Sequence, residues 1–180
     1  MNTKPNEEFL QCFDEQGNPT EGRPRSQVKT LPYQYWHGVC NIFVVNNAGQ
    51  ILCSKRSPLI ENPGKWQPYF GGHVSAGLSF TQTAIKELQE ESGIIITEPD
   101  LFLLENATYP DQKKFFRTFV ILYNEPTINL AGTDGEITEY KWMNMKEYLK
   151  ESEANPDGWC GSCKPERQKL IREWLATKIK

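Results

Sequence analysis

Residues 72–94 read GHVSAGLSFTQTAIKELQEESGI, and they contain the strongest structural signals in the sequence. Ser79 is a good helix N-cap, and Gln82 stands three residues later, as in a capping box. Gly93 supplies the left-handed conformation in which many helices stop. These signals at both ends predict an α-helix from Phe80 to Ser92.

The helix has carboxylates on one face, since Glu87, Glu90 and Glu91 stand at i, i+3 and i+4 and therefore lie within about 6 Å of each other. An apolar stripe beside them consists of Ala84, Ile85 and Leu88. Three crowded like charges near a buried side are unfavourable unless a cation lies among them, and magnesium prefers carboxylate and phosphate oxygens. The alternative for these residues alone is a solvated acidic helix face.

With its surroundings, the stretch resembles the Nudix box: Gly, five residues, Glu, seven residues, then Arg-Glu-hydrophobe-any-Glu-Glu-any-Gly-hydrophobe. Gly72 and the segment 86–94 match that spacing, with two departures. Leu78 stands at the first glutamate of the box, a supporting position, so we expect its effect on rate and loop order rather than on metal binding. Lys86 replaces the arginine; it keeps the charge but lacks the bidentate fork, which predicts looser geometry.

The resemblance implies a metal-dependent hydrolase in which water attacks phosphorus in a nucleoside diphosphate derivative or a related organic diphosphate. The implied metal is Mg²⁺, with Mn²⁺ as a substitute in the same oxygen site. The implied ligands are the side chains of Glu87, Glu90 and Glu91 and the carbonyl of Gly72. The implied catalytic set adds Lys86 and a glutamate from a later loop, with Glu136 as first candidate and Glu139 as second.

The remaining chain alternates strand and helix signals, which predicts a layered α/β domain. Predicted strands, the first two forming a core hairpin, are 39–45, 51–56, 101–104, 115–123 and 137–143. Predicted later helices are a short one capped by Asn144 with Glu147 and ending near Leu149, and one across 165–180 with apolar Leu170, Ile171, Trp174 and Leu175.

The family resemblance implies an α/β/α sandwich with a mixed β-sheet, an N-terminal hairpin extension and a C-terminal helix. Turn formers from Phe9 to about Gln34 predict a short hairpin followed by an extended arm. We therefore expect an extension at 1–35, a Nudix domain at 36–150, and a loop and helix at 151–180.

Further similarities point to the branch of the family that includes isopentenyl-diphosphate isomerase. They are FDEQGNPTEGRPRS at 13–26, Trp36-His37, SKRS at 54–57, PGKW at 63–66 and Gly72-His73. The isomerase has a catalytic cysteine just before the Gly-His pair, and here Gly71 takes that place, so isomerase activity ranks low. His37 and His73 match histidines of this branch, but packing or hydrogen bonding is the simpler interpretation for two such distant residues.

Four residues are candidates for substrate binding. Arg56 and Lys55 follow a core strand from which a cation can reach a phosphate, although surface cations are usually only solvated. Trp66 and Tyr69 can stack on a base or line a pocket, although aromatic clusters are more often core. Both interpretations stay open at this point.

Composition limits the classes of partner. The 180 residues have a net charge of −3, so no overall field favours nucleic acid or an acidic membrane, and a small-molecule diphosphate is the expected partner. No apolar run approaches the roughly 20 residues of a membrane span, and the N-terminus lacks a signal pattern. An odd, mostly isolated set of five cysteines favours a cytoplasmic location. A homodimer is compatible with the sequence.

Two alternative functions stay open. The segment Trp159 to Cys163 resembles a thioredoxin active site, but it lacks a preceding strand and has two of the four ligands of a zinc site, so a loop pair or occasional disulfide is favoured. A redox or zinc-dependent accessory role is the weaker alternative. The stronger one is a non-catalytic Nudix-fold module that binds a nucleotide or partner, suggested by Leu78 and Lys86.

Overall fold

The computed structural model describes residues 7–131 and 133–178. Its strands are β1 (Phe9–Leu10), β2 (Cys12–Phe13), β3 (Arg23–Pro24), β4 (Trp36–Val45), β5 (Gln50–Arg56), β6 (Trp66–Gln67), β7 (Phe102–Tyr109), β8 (Lys114–Leu122) and β9 (Ile137–Asn144). Its α-helices are α1 (Arg25–Val28), α2 (Phe80–Ser92), α3 (Met145–Ala154) and α4 (Pro165–Ala176). The expected extension and C-terminal helix both include residues outside the described ranges, at 1–6 and at 179–180.

The centre of the molecule is a seven-stranded mixed sheet with the order β6-β5-β4-β8-β7, in which β2 joins β4 and β9 joins β5. β4 and β8 run parallel, from His37 opposite Lys114 to Val45 opposite Leu122. The other pairings within this sheet are antiparallel. The mixed sheet is therefore confirmed.

The predicted core hairpin forms, but β4 and β5 stay paired only beside the turn, where Val45 lies opposite Ile51. Beyond it the strands diverge, and residues 70–74 fill the gap along β4. The N–H of Ile42 donates to the Phe70 carbonyl at 2.8 Å, and the N–H of Cys40 donates to the Gly72 carbonyl at 2.9 Å. This divergence brings the end of β5, β6 and the start of the Nudix-box segment together.

Helices cover both faces of the sheet, which confirms the α/β/α sandwich. On one face, α2 packs on alternate residues of β4; the shared core includes Cys40, Ile42, Val44, Phe80, Ala84 and Leu88. On the other face, α3 and α4 pack on the intervening residues; that core includes Phe43, Val45, Tyr148, Ile171, Trp174 and Leu175. Leu170 of α4 stays 40% exposed, so it is not part of the buried helix face.

The N-terminal segment differs from the extended arm that its turn formers suggest. β1 pairs antiparallel with β3, which gives the expected hairpin. The arm then forms the single helical turn α1, because Val28 is fully buried beside Leu10 and Cys12. The division of the chain at residues 35 and 150 stays a prediction.

Helix α3 also differs from expectation. The Asn144 side chain accepts the N–H of Lys146 at 2.9 Å, and no reciprocal bond from Glu147 accompanies it among the described residues. The helix continues to Ala154 instead of ending near Leu149, since Tyr148 is buried and anchors its middle against the sheet.

Candidate active site

An open cleft of about 550 Å³ lies where β4 and β5 diverge. One side is lined by α2 and by the loop that precedes β9. The other side is lined by β4, β5 and β6 and by the loop that precedes α4. Residues that line it from distant parts of the chain include Glu8, Asn41, Arg56, Glu90, Glu136 and Gly161.

The position of α2 is fixed at both ends by the signals in its sequence. Ser79 and Gln82 form the predicted capping box, and Gly93 ends the helix with φ of 71°. Helix α2 buries its apolar face on the sheet, so its three glutamates all reach the lining of the cleft. We call Glu87, Glu90 and Glu91 the carboxylate wall.

Two carboxylates of this wall are largely withdrawn from water. Glu91 is 2% exposed, and its Oε2 accepts the N–H of Gly71 at 3.2 Å. Burial raises the pKa of Glu91 well above the ordinary value, and the charge of Glu87 raises it further. Burial also raises the pKa of Glu87 to about 7. Both groups therefore hold a proton more readily than an ordinary glutamate does until a cation compensates the buried charge.

Lys86 occupies the third carboxylate. Its Nζ lies 2.5 Å from Oε2 of Glu90 and 3.9 Å from Oε1 of Glu87. Unlike a guanidinium fork, the single ammonium makes its close contact with one carboxylate only. The carboxylate of Glu90 is thus directed toward Lys86 and forms an ion pair with its ammonium group.

The donors suit a hard divalent cation in type, since all three are carboxylates; Glu91 is buried, and the Glu87 side chain is 16% exposed with its nearest ammonium 3.9 Å away. Their arrangement is not a finished cage. Within residues 7–131 and 133–178, no three His, Cys, Asp or Glu side chains are grouped as a metal site in their present positions. An ion bound here would therefore require Glu90 to leave Lys86.

The two glycines beside this wall play different roles. The Gly72 carbonyl accepts the N–H of Cys40 at 2.9 Å, which leaves the second lone pair of its oxygen for the metal-ligand role that the sequence predicts. A Cβ on Gly72 would lie 2.7 Å from Oε2 of Glu87. Gly71 has φ of 137°, and a Cβ there would lie 2.2 Å from the Cys40 carbonyl oxygen. The missing side chain of Gly72 makes room for the Glu87 carboxylate, whereas that of Gly71 makes room for the backbone of Cys40.

The structure separates the two later glutamates. Glu136 lines the cleft, and burial together with Asp134 raises its pKa above the ordinary value. Its loop is attached to α2 because the Asp134 N–H donates to the Glu90 carbonyl at 3.0 Å. Glu139 instead pairs with Lys55 at 2.6 Å and does not line the cleft. Glu136 is the better placed of the two candidates.

The four predicted substrate contacts divide in the same way. Arg56 and Tyr69 line the cleft, whereas Lys55 and Trp66 do not. Trp66 packs against the core under α3 and α4, with Lys55 Nζ 5.8 Å from its ring centroid. Lys55 lies on this side because successive side chains of a strand point to opposite faces. We therefore leave Lys55 and Trp66 out of the proposed substrate contacts.

The two histidines, distant in sequence, stack with ring centroids 5.5 Å apart. Burial lowers the pKa of His37 to about 4 and that of His73 to about 2. Lys29 Nζ lies 3.3 Å from Nε2 of His73, in the position that a metal ion on that nitrogen would need. The pair is therefore neutral and packed, as the simpler interpretation predicted.

Several lining residues were absent from the sequence-based site. They include Glu8, Arg25, Asn41, Gln67, Cys160 and Gly161. The segment around Cys160 reaches the cleft because its N–H donates to the Trp66 carbonyl at 2.8 Å. Both Cys160 and Cys163 are free thiols. Only the unusual Cys-Gly-Ser-Cys sequence marked this loop in advance, and it marked it for a different chemistry.

Leu78, which stands in place of the first glutamate of the box, does not line the cleft. The carboxylate wall therefore keeps its three glutamates despite this departure. The structured part of the chain also contains no helix with the length and apolar character of a membrane span.

The fold and site together define an α/β protein with a polar cleft bordered by helical carboxylates. The NUDIX domain family matches residues 35–159, more than half of the chain, and this range contains the three wall glutamates and Glu136. The chain therefore belongs to the Nudix family.

Individual relatives differ in activity. The chain is 27% identical to an uncharacterised Nudix hydrolase of Pseudomonas aeruginosa, over 83% of this chain and 86% of that protein. It is 24% identical to an isopentenyl-diphosphate Delta-isomerase of Shigella dysenteriae, over 96% and 98% of the two chains. A crystal structure from Deinococcus radiodurans matches with a TM-score of 0.67 at 21% identity, covering 92% of this chain and 98% of that one. The relatives therefore include both a protein named as a Nudix hydrolase and a protein named as an isomerase.

Proposed function

We propose that this protein is a metal-dependent pyrophosphohydrolase that cleaves a diphosphate linkage in an organic diphosphate. The carrying observation is that Glu87, Glu90, Glu91 and Glu136 line one cleft with Arg56. Buried acidic groups with raised pKa values are typical of catalytic and metal sites.

In this proposal Glu87, Glu90 and Glu91 hold Mg²⁺, with Mn²⁺ as an alternative. When bound, the ion neutralises the diphosphate and makes a water molecule more acidic. Glu136 accepts the proton of the attacking water, since a carboxylate with a raised pKa binds a proton more strongly than an ordinary one. Arg56 binds phosphate oxygens; its Nε donates to the Glu61 carbonyl at 2.6 Å, which holds the guanidinium in place.

Gly71 argues against the isomerase. A cysteine at this position would need φ of 137° and a Cβ 2.2 Å from the Cys40 carbonyl oxygen. L side chains rarely adopt that conformation, and a backbone oxygen has little freedom to move. The chain thus lacks both the thiol and the space for it.

A non-catalytic binding module is the second candidate. The Lys86–Glu90 ion pair favours it, because an internal cation already satisfies one of the three proposed ligands. Homodimer formation and cytoplasmic location stay predictions from the sequence.

The test is Mg²⁺-dependent release of phosphate or pyrophosphate from nucleotide, sugar-nucleotide and prenyl diphosphates. We expect E90Q to lower turnover by at least about 100-fold, because it removes a proposed metal ligand. E173Q is the matched control, since Glu173 also follows a lysine by four residues but lies on α4. Equal activity of E90Q and wild type would refute the carboxylate assignment. Mg²⁺ binding without turnover of any substrate would favour the binding module.

A further inference from the structure

Gln67 has an amide group whose orientation is fixed. The residue is 2% exposed, and its Oε1 accepts a hydrogen bond from Nη1 of Arg56 at 2.9 Å. The thiol of Cys160 also contacts Oε1, at 3.9 Å. Because both donors meet the oxygen, Nε2 must point away from them.

The Nε2 donor makes no hydrogen bond with another described residue, since both side-chain hydrogen bonds of Gln67 are accepted by Oε1. Nε2 is not one of the side-chain atoms that are shielded from solvent and lack a hydrogen-bond partner. It therefore keeps access to open space. The space that Gln67 lines is the cleft. A donor on a buried residue with no protein acceptor requires water or a ligand.

Two further residues make this part of the cleft polar. Asn41 is 7% exposed and lines the cleft, and Tyr69 lies beside it. Tyr69 is held from behind by Phe43, whose ring meets it edge-on at 5.8 Å, and from the other side by Gly161. A Cβ on Gly161 would lie 2.1 Å from the Tyr69 hydroxyl. We call Asn41, Gln67 and Tyr69 the amide wall.

We infer that the amide wall binds the organic substituent of the diphosphate. This substituent bears hydrogen-bond acceptors, as a nucleoside or a sugar does. Gln67 is the donor that selects it. The inference rests on the proposed function. A prenyl chain would cover the Gln67 amide without accepting its N–H, and leaving a buried donor unpaired is unfavourable. The same wall would therefore disfavour the isoprenoid diphosphates of the isomerases.

The experiment compares wild type with Q67M, which keeps the length of the side chain and removes the donor together with the oxygen that accepts from Arg56; the Nε of Arg56 keeps its bond to the Glu61 carbonyl. Substrates are ADP-ribose, UDP-glucose and dimethylallyl diphosphate, and ADP binding is measured separately by calorimetry. We expect Q67M to raise KM for the two nucleotide sugars about 10-fold, to change kcat little, and to weaken ADP binding about 10-fold. Wild type should prefer the nucleotide sugars to dimethylallyl diphosphate.

Two controls separate the outcomes. Q168M removes an equally buried amide outside the cleft, and N41L provides a second variant of the amide wall if Q67M does not fold. If wild type hydrolyses none of the substrates but binds ADP more tightly than Q67M does, the proposed hydrolysis is refuted and the role of the amide wall in binding is supported. A preference for dimethylallyl diphosphate, failure to bind ADP, or equal effects of Q67M and Q168M would overturn the inference.

Discussion

The two walls of the cleft are organised in different ways. In the amide wall, Oε1 of Gln67 meets two donors from the protein, so the wall is ordered before any ligand arrives. In the carboxylate wall, Glu87 and Glu91 are buried acids with raised pKa values, and Glu90 is turned to Lys86. The amide oxygen of Gln67 in one wall is already satisfied by the protein, whereas the carboxylates of the other wall become fully satisfied only when a cation binds. The comparison suggests that selection of the organic group does not depend on the metal.

The largest expected effect comes from the glycines that connect the walls. G71A should destabilise the fold by about 4 kcal/mol, because it forces a strained φ and a clash with the Cys40 backbone. G72A should change the free energy of unfolding by less than about 1 kcal/mol, because its Cβ meets only the movable end of Glu87. It should still lower Mg²⁺ affinity about 10-fold.

Denaturant titration measures the first difference and calorimetry with Mg²⁺ measures the second. Similar stabilities for G71A and G72A would contradict the assigned division between backbone and side-chain contacts.

An intermediate effect is expected for the pH dependence of the metal-free protein. The pKa of Glu87 is raised to about 7. Its contribution to the free energy of unfolding is therefore most favourable below about pH 4.5 and is lost as the pH rises toward 7. E87Q removes this loss and should exceed wild type in stability by on the order of 3 kcal/mol at pH 8, with little difference at pH 4.5.

His37 and His73 have lowered pKa values and shift stability in the opposite direction, so the difference between E87Q and wild type is the quantity to measure. Q67M should show no such pH-dependent difference, because its amide does not titrate. A constant difference between E87Q and wild type across this range would show that Glu87 ionisation does not strain the wall.

The smallest effect is expected for K86R. A guanidinium can contact Glu87 and Glu90 together, whereas Lys86 Nζ lies 2.5 Å from one and 3.9 Å from the other. Because that fork would hold both carboxylates against a protein cation, we expect Mg²⁺ affinity to fall about 3-fold. K169R on α4 is the control, because it alters another lysine paired at i, i+4 with a glutamate. Stronger Mg²⁺ binding by K86R would mean that the guanidinium orients the two carboxylates for the ion instead of competing with it.

The features that sequence predicted best are those with local signals. Helix α2 begins and ends at the predicted residues because Ser79, Gln82 and Gly93 act within their own helical turns. Strand β7 was predicted only to Leu104 but continues to Tyr109, since the polar residues after Leu104 belong to an exposed edge strand without an apolar pattern. Local pattern was sufficient for a helix with two caps and insufficient for a solvated strand.

The same contrast applies to the site. The spacing of Glu87, Glu90 and Glu91 on one helix placed them together before the structure was known, and all three line the cleft. Gln67 and Cys160 meet only because β6 and the loop before α4 lie side by side, a contact between residues 93 positions apart. No local pattern encodes such a contact, so the amide wall required the folded structure.

The cleft also has an order of assembly. Glu8 lies near one end of the described chain and Gly161 near the other, yet both line it. A ribosome releases the segment with Glu8 first, and the packing around Tyr69 stays incomplete until Gly161 has emerged. A nascent chain can therefore pair much of its sheet while its cleft is still open at one end, and it becomes able to hold a ligand on both walls only late in synthesis.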